Sequence, residues 1–278
     1  MNPTGQIYAD NNDLQKKWAA DILSSIEFRQ NGYRNVLDIG CGSGEVTNTI
    51  LNEINDVENV IAFDKNESMI EFARLKYPNP KIEYLVADVI KPDSFRPEWR
   101  QEFDLITSFF VLHWTPNQYS NLENIKSLLS PNGEIVFVLI TSGDIGSISE
   151  VTKSEKWSPY FQGYTPEWSL EPGFEEYTEW RYPDAVTGYQ RMAESLGFTV
   201  KQCTRTYIDY THTDLQSAKG SSRAVLPHLE RIPELKISEF MDDAFDLYLE
   251  KFPPDKNGKI HNTGYANIIH LQNKVNAR

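Results

Sequence analysis

Three glycines and three aspartates carry the first chemical signal in this sequence. The stretch "VLDIGCGSGEVT" sets Gly40, Gly42 and Gly44 directly after an apolar run and ahead of a helical pattern. Missing side chains there let backbone N–H groups approach a ligand closely. A glycine turn alone is a weak signal. The dinucleotide fingerprint G-x-G-x-x-G needs glycine at 45, where Glu45 stands, and the phosphate loop G-x-x-x-x-G-K-[ST] is not matched. Asp38, just before the turn, suits a ligand carrying positive charge and would repel a pyrophosphate. Asp64 and Asp88 close the next two apolar runs. An acid ending the second strand of an open α/β sheet is placed to accept both ribose hydroxyls, and Asp88 with Val89 could hold an adenine amino group. One strand-end aspartate is most often a helix cap; three in succession beside a glycine turn point to a nucleoside site.

A second group lies in "SFFVLHWTPNQ", residues 108–118, where His113 and Trp114 stand side by side just before Thr115-Pro116 must end a strand. A bulky, polar-tipped pair at a strand mouth is an odd choice for packing alone. Near the start, Gln15 rides on an amphipathic helical pattern. An isolated Trp is more often a core or rim residue, and such a Gln is usually solvated, so neither makes a site by itself. His212, His228, His261 and His270 lack ligand-like spacing, and no metal site is expected.

Positioning these residues requires a sheet. Apolar runs at 35–40, 59–64, 82–88, 103–112 and 133–140 alternate with helical patterns at 45–54, 66–76 and 117–129. Continuous apolar strands separated by helices of this length imply βαβ crossovers, hence a doubly wound, mainly parallel α/β sheet. "FTVKQCTRTYIDY" and "YANIIHLQNK" complete seven strands, with further helices over 185–196, 213–226 and 236–251 and Gly197 as a helix C′ residue. An earlier helix follows the plausible N-caps Asn12 and Asp13 and carries Leu14, Trp18, Ile22 and Ile26 on one face. Residues 141–184 hold no sustained period but many aromatics. Trp157, Tyr160, Phe161, Tyr164, Trp168 and Phe174 form either the wall of an apolar pocket or a local core, with the pocket slightly favoured. The expected organisation is one domain over 1–278: a core at 33–140, with 1–32, 141–184 and 213–255 capping a substrate.

Composition narrows the function. The 278 residues are 40% hydrophobic, enough for a substantial core. With 27 basic and 40 acidic side chains the formal charge is −13, a field that disfavours nucleic acid and anionic membrane surfaces. Two cysteines, Cys41 and Cys203, are too few for a disulfide framework, and neither a signal-peptide core nor a membrane-spanning run is present. The expectation is a cytoplasmic protein.

The arrangement over 33–140, including the "FDLI" entry to the fourth strand and "LLSPNGEIVF" as helix end, turn and fifth strand, resembles class I S-adenosylmethionine-dependent methyltransferases. That resemblance implies that Gly40, Gly42 and Gly44 cradle the methionine moiety, Asp64 binds the ribose, and Asp88 and Val89 line the adenine pocket. Asp38, Cys41, Lys65 and Ser108 are counted with the same cofactor set, Cys41 reading as a small packed residue within the turn. "VLHW", "DNNDLQKK" and "SEFMDD" together look like the juvenile hormone acid O-methyltransferases of insects. In that family the Gln and Trp matching Gln15 and Trp114 hold the substrate carboxylate. His113 could donate to substrate or tie down the strand end.

Such a reaction suits neutral donors. The acid is already ionised near pH 7, so no general base is required. An arginine clamp would stabilise the ground state more than a transition state in which charge is being cancelled. Expected partners are therefore S-adenosylmethionine and a hydrophobic carboxylic acid, juvenile hormone acid or farnesoic acid first. Another small acid, fatty or trans-aconitate-like, and a non-catalytic cofactor-binding relative stay open as alternatives.

Overall fold

The computed structural model describes residues 5–143, 150–163 and 185–274. Seven strands, β1 (Asn35–Ile39), β2 (Asn59–Asp64), β3 (Ile82–Val86), β4 (Phe103–Phe109), β5 (Leu129–Gly143), β6 (Phe198–His212) and β7 (Ile260–Asn273), form one sheet in the order β3-β2-β1-β4-β5-β7-β6. The first five run parallel, and β7 inserts antiparallel between β5 and β6. The expected doubly wound α/β sheet is present.

The helices are α1 (Gly5–Ala9), α2 (Asp13–Ser25), α3 (Glu45–Glu53), α4 (Glu67–Lys76), α5 (Gln118–Leu128), α6 (Ala185–Ser195), α7 (Leu215–Val225) and α8 (Ile237–Lys251). Successive strand residues face opposite sides of the sheet, and two cores result. Leu37, Ile39, Ile106 and Phe137 pack with Leu122 and Ile125 of α5 and Tyr189 and Met192 of α6. Val36, Leu105 and Val136 pack with Trp18 and Ile22 of α2 and Ile50 of α3. Every βα turn of the parallel strands therefore opens at one edge of the sheet, where such folds bind ligands.

Several boundaries differ from the pattern. The apolar run 103–112 does not remain a strand: β4 stops at Phe109, Phe110 adopts a left-handed φ of 61°, and Leu112–Trp114 make a 3-10 turn. Likewise β3 stops at Val86, so Asp88 lies two residues past its end. β7 starts at Ile260, earlier than its apolar stretch suggested.

A third core gathers residues between Val151 and Ile260. Trp157, 1% exposed, sits among Ala218, Leu226, Phe240, Phe245 and Tyr248 and donates from Nε1 to Asp243 at 2.7 Å. Tyr160 and Phe161 pack against the same cluster. For these three aromatics the local-core alternative replaces the pocket wall; Tyr164, Trp168 and Phe174 lie outside the described residues.

Candidate active site

The glycine turn begins where β1 ends, and its backbone is tied to β2. Gly40 and Cys41 both donate to the Phe63 carbonyl, at 2.8 and 3.0 Å. Gly40 has φ +72°, and a Cβ there would fall 2.4–2.9 Å from the side chain of Val111, in the turn after β4. Only glycine lets those two turns close on each other. Gly44, at φ +88°, opens α3 and packs against Ala73 and Tyr84. Gly42 is different: an added Cβ would meet only the Tyr8 ring edge, at 3.6 Å. Its Cα is the floor of the turn, faced by the Tyr8 ring.

Asp64 accepts from the Gly42 N–H at 3.0 Å with one oxygen and from the Asn66 N–H at 2.9 Å with the other. Burial pushes its carboxyl up, and the two N–H groups pull it back. A carboxylate offers about four lone-pair positions, so two remain for hydroxyl donors. Lys65 beside it is exposed. Asp88 is half-buried, accepts from the Ile90 N–H at 3.2 Å and pairs with Lys91 at 3.5 Å, while buried Val89 is held through its carbonyl by Asn124 at 3.1 Å.

Two members of the cofactor set are scaffold instead. Asp38 is 2% exposed, and its oxygens take hydroxyls from Thr47 of α3 at 2.6 Å and Thr107 of β4 at 2.9 Å. Burial pushes its carboxyl up to about 6, while those hydroxyls pull it down. Ser108 is fully buried and donates to the Ile39 carbonyl at 3.0 Å. Asp38 stitches β1 to β4 and α3, and Ser108 ties β4 to β1, beneath the turn. Cys41 is the packed residue it appeared to be, set among Ala62, Ile70, Ala73 and Tyr84, with burial raising its thiol well above the usual range.

On the other side of the cleft, the left-handed Phe110 turns the chain out of β4, a strained conformation for an aromatic residue. His113 is buried, its ring 4.9 Å from that of half-buried Trp114. The Ile140 N–H lies 3.4 Å from His113 Nδ1, and burial lowers the imidazole to about 3. Burial favours the neutral ring, and an Nδ1 that accepts from Ile140 leaves the proton to Nε2. Gln15 is half-buried on α2, and its Oε1 is buried with no hydrogen-bond partner. A buried amide oxygen left unpaired is costly and marks a place where a partner is missing.

Other contributors carried no clear sequence signal. Asn12 occupies the N-cap position of α2 but makes no capping bond; its Nδ2 turns to Ser43 at 3.4 Å and to Glu45. Glu45, noticeable in the sequence only as a missing glycine, also accepts from Tyr77 at 2.9 Å. Tyr8 of α1 lies over Gly42, and burial, with Asp64 and Glu45, raises its phenol. Among the described residues no cluster of His, Cys, Asp or Glu could hold a metal, and no helix is long and apolar enough to cross a membrane.

The site fits a positively charged nucleoside cofactor: a glycine floor at Gly42, a strand-end carboxylate with acceptor capacity to spare, and no basic phosphate-binding loop. Comparison with known proteins agrees. Residues 37–137 match the family model described as a methyltransferase domain. The chain is 26% identical over 246 residues to a putative methyltransferase of Invertebrate iridescent virus 6, covering 86% of this chain and 84% of that protein. It is 25% identical over 256 residues to juvenile hormone acid O-methyltransferase of Drosophila melanogaster, covering 87% and 82%. Phosphoethanolamine N-methyltransferase 2 of Haemonchus contortus, solved with S-adenosyl-L-methionine, aligns at a TM-score of 0.51 and 17% identity over 93% of this chain and 53% of that one, a likeness of fold. With the strand order, these matches give residues 37–137 a likeness to methyltransferase domains, on a Rossmann-like fold of the class I methyltransferase type.

Proposed function

We propose that the chain methylates the carboxylate of a hydrophobic acid, a terpenoid of the juvenile hormone acid or farnesoic acid type first, giving the methyl ester. The observation that carries this reading is the state of His113. Buried, with that burial lowering its imidazole, and facing the Ile140 N–H with Nδ1 at 3.4 Å, it is a poor base. A hydroxyl or ammonium acceptor would have to lose a proton before attacking. A carboxylate is ionised near pH 7 and needs no such help.

Bound S-adenosylmethionine supplies an electrophilic methyl group on a sulfonium. The chain's own residues then bind, orient and exclude water. The side chains of Gln15, Trp114 and His113 carry uncharged, directional donors of the kind such an acid needs. They can hold one carboxylate oxygen and leave the other in line, so that proximity and orientation supply most of the acceleration. Similarity to the Drosophila enzyme over 87% of the chain supports the same acceptor class.

Incubation of the full chain with methyl-labelled cofactor and a panel of terpenoid, fatty and polycarboxylic acids tests the proposal. The expected product is an alkali-labile methyl ester formed fastest from a terpenoid acid. Preference for trans-aconitate-like polyacids would overturn the substrate class, and label transferred only to hydroxyl or amine acceptors would overturn carboxyl methylation. Cofactor binding without turnover on any acid would leave a non-catalytic binding protein.

A further inference from the structure

The N-terminal arm, residues 5–16, is clasped from two sides. Toward the core, Gly5 packs so tightly on Phe72 of α4 that a Cβ would come within 2.3 Å of it, Tyr8 covers Gly42, and Asn12 reaches Glu45. Toward the cap, Ser221 of α7 donates to the Asn11 carbonyl at 3.1 Å, and Gly220 leaves room for the Asn11 side chain. Gln15 follows Asn12 by one helical turn.

Glu45 is the centre of this seat. Asn12, Ser43 at 3.3 Å, Tyr77 at 2.9 Å and Lys16 at 3.7 Å all converge on its carboxylate, at the first residue of α3. A carboxylate only accepts hydrogen bonds, so the Asn12 amide must turn Nδ2 toward it. Asn12 Oδ1 is then left buried without a donor. That oxygen sits in the seam between the arm and the glycine turn, where a ligand carrying N–H groups could satisfy it. The cofactor has such a group in its α-ammonium.

We infer that the clasp of Asn12 and Glu45 couples the two halves of the site: the α-ammonium of the cofactor completes the hydrogen bonding of Asn12, the arm is fixed, and Gln15 is set in place for the acid. Glu45 is thereby a positioning residue for Gln15, and cofactor binds before acid. The last step rests on the carboxyl-methylation reading; the clasp itself does not.

Three measurements on the full chain test it, each with thermal unfolding as a fold control. In calorimetry, wild type should bind S-adenosylhomocysteine about tenfold or more tightly than its analogue lacking the amino group, 5′-S-(3-carboxypropyl)-5′-thioadenosine, the scale of one charged hydrogen bond. Asn12→Ala should nearly lose that discrimination; equal discrimination in both would overturn the role of Asn12. In hydrogen exchange, S-adenosylhomocysteine should protect residues 5–16 in wild type, fail to do so in Glu45→Ala, and do so partly in Glu45→Gln. Glu45→Ala should also lower kcat/KM for the acid about tenfold at saturating cofactor, and Glu45→Gln should recover part of that loss. An arm equally protected in all three proteins, or kcat/KM for the acid unchanged in Glu45→Ala, would overturn the coupling. If Gln15→Leu leaves KM for the acid unchanged while Glu45→Ala still frees the arm, the acid-site reading fails and the clasp stands.

Discussion

The cofactor side of the cleft draws its residues from one continuous stretch, Gly40 to Val89, each placed by the end of a strand. The proposed acid side takes Gln15 from α2 and His113 and Trp114 from the turn after β4, segments far apart in the sequence. The first is held from below by hydroxyls at Thr47, Thr107 and Ser108, all buried. The second depends on side chains seated across element boundaries, Asn12 on Glu45 and His113 under the Ile140 N–H. If the donor cradle and the proposed acceptor clamp are built from different segments and joined through the Asn12–Glu45 clasp, substitutions outside that clasp that touch one ligand should leave the other ligand's binding nearly untouched, whereas substitutions within it should move both.

The sharpest test of that independence lies on the acid side. Trp114→Phe keeps most of the packing and loses the indole donor; Gln15→Leu keeps length and loses the amide. Each is expected to lower kcat/KM for the acid about tenfold to a few hundredfold, with calorimetric affinity for the cofactor barely changed. The double variant should lose less than the sum of the two, because both donors act on one carboxylate. Loss that tracks only with reduced thermal stability would return the His-Trp pair to packing.

The reciprocal variant is Asp64→Ala, which should weaken S-adenosylmethionine by about 1–3 kcal/mol, the scale of hydrogen bonds to a charged acceptor, while KM for the acid at saturating cofactor stays close to wild type. Affinity unchanged with an intact fold would remove Asp64 from the site.

Stability at the opposite edge of the sheet should be independent of both sides. There Glu134, at the start of the ladder between β5 and β4, is 2% exposed and accepts from Tyr33 at 2.5 Å, His270 at 2.9 Å and Lys201 at 2.9 Å. Burial alone would raise its carboxyl, but these partners bring it down from 4.5 to about 2. Because it titrates lower in the folded chain than in the unfolded one, its contribution is complete above 4.5 and fades as pH falls toward 2. Glu134→Gln should flatten the loss of melting temperature across that window without altering cofactor affinity at neutral pH.

Smaller still is Ser108→Ala, which removes one hydroxyl bond to Ile39 and should cost about 1 kcal/mol of stability, read by denaturant unfolding, with cofactor affinity unchanged. A tenfold loss of affinity instead would put Ser108 back among the groups that meet the cofactor.

The cofactor side was legible because its signals are local: glycines that must be glycine, and acids at the ends of apolar runs. Where local signals failed, a tertiary contact had taken over. The sequence "FFVLHW" shows no break in apolarity, so nothing announced that Phe110 would adopt a left-handed φ and end β4 early. Asp38 stood where a ligand acid could stand, but two threonines, one of them far along the chain, claim it. Asn12 looked like a cap because capping is what an asparagine before a helix usually does; its partner Glu45 is more than thirty positions away. The aromatics of 157–161 showed their apolarity but not their neighbours, which α7 and α8 supply.

The contact between Gly40 and Val111 also bears on how such an enzyme could be given a new substrate. With 2.4 and 2.5 Å between a would-be Cβ and the valine methyls, the donor turn is the mould against which the acceptor turn is cast. Grafting the 111–115 segment of another methyltransferase would therefore succeed only with a residue at 111 no bulkier than valine, whatever the rest of the graft recognises. The interlock makes the cofactor turn a silent partner in acceptor choice, and redesign libraries should hold Gly40 and Val111 as a pair and vary outward from Leu112.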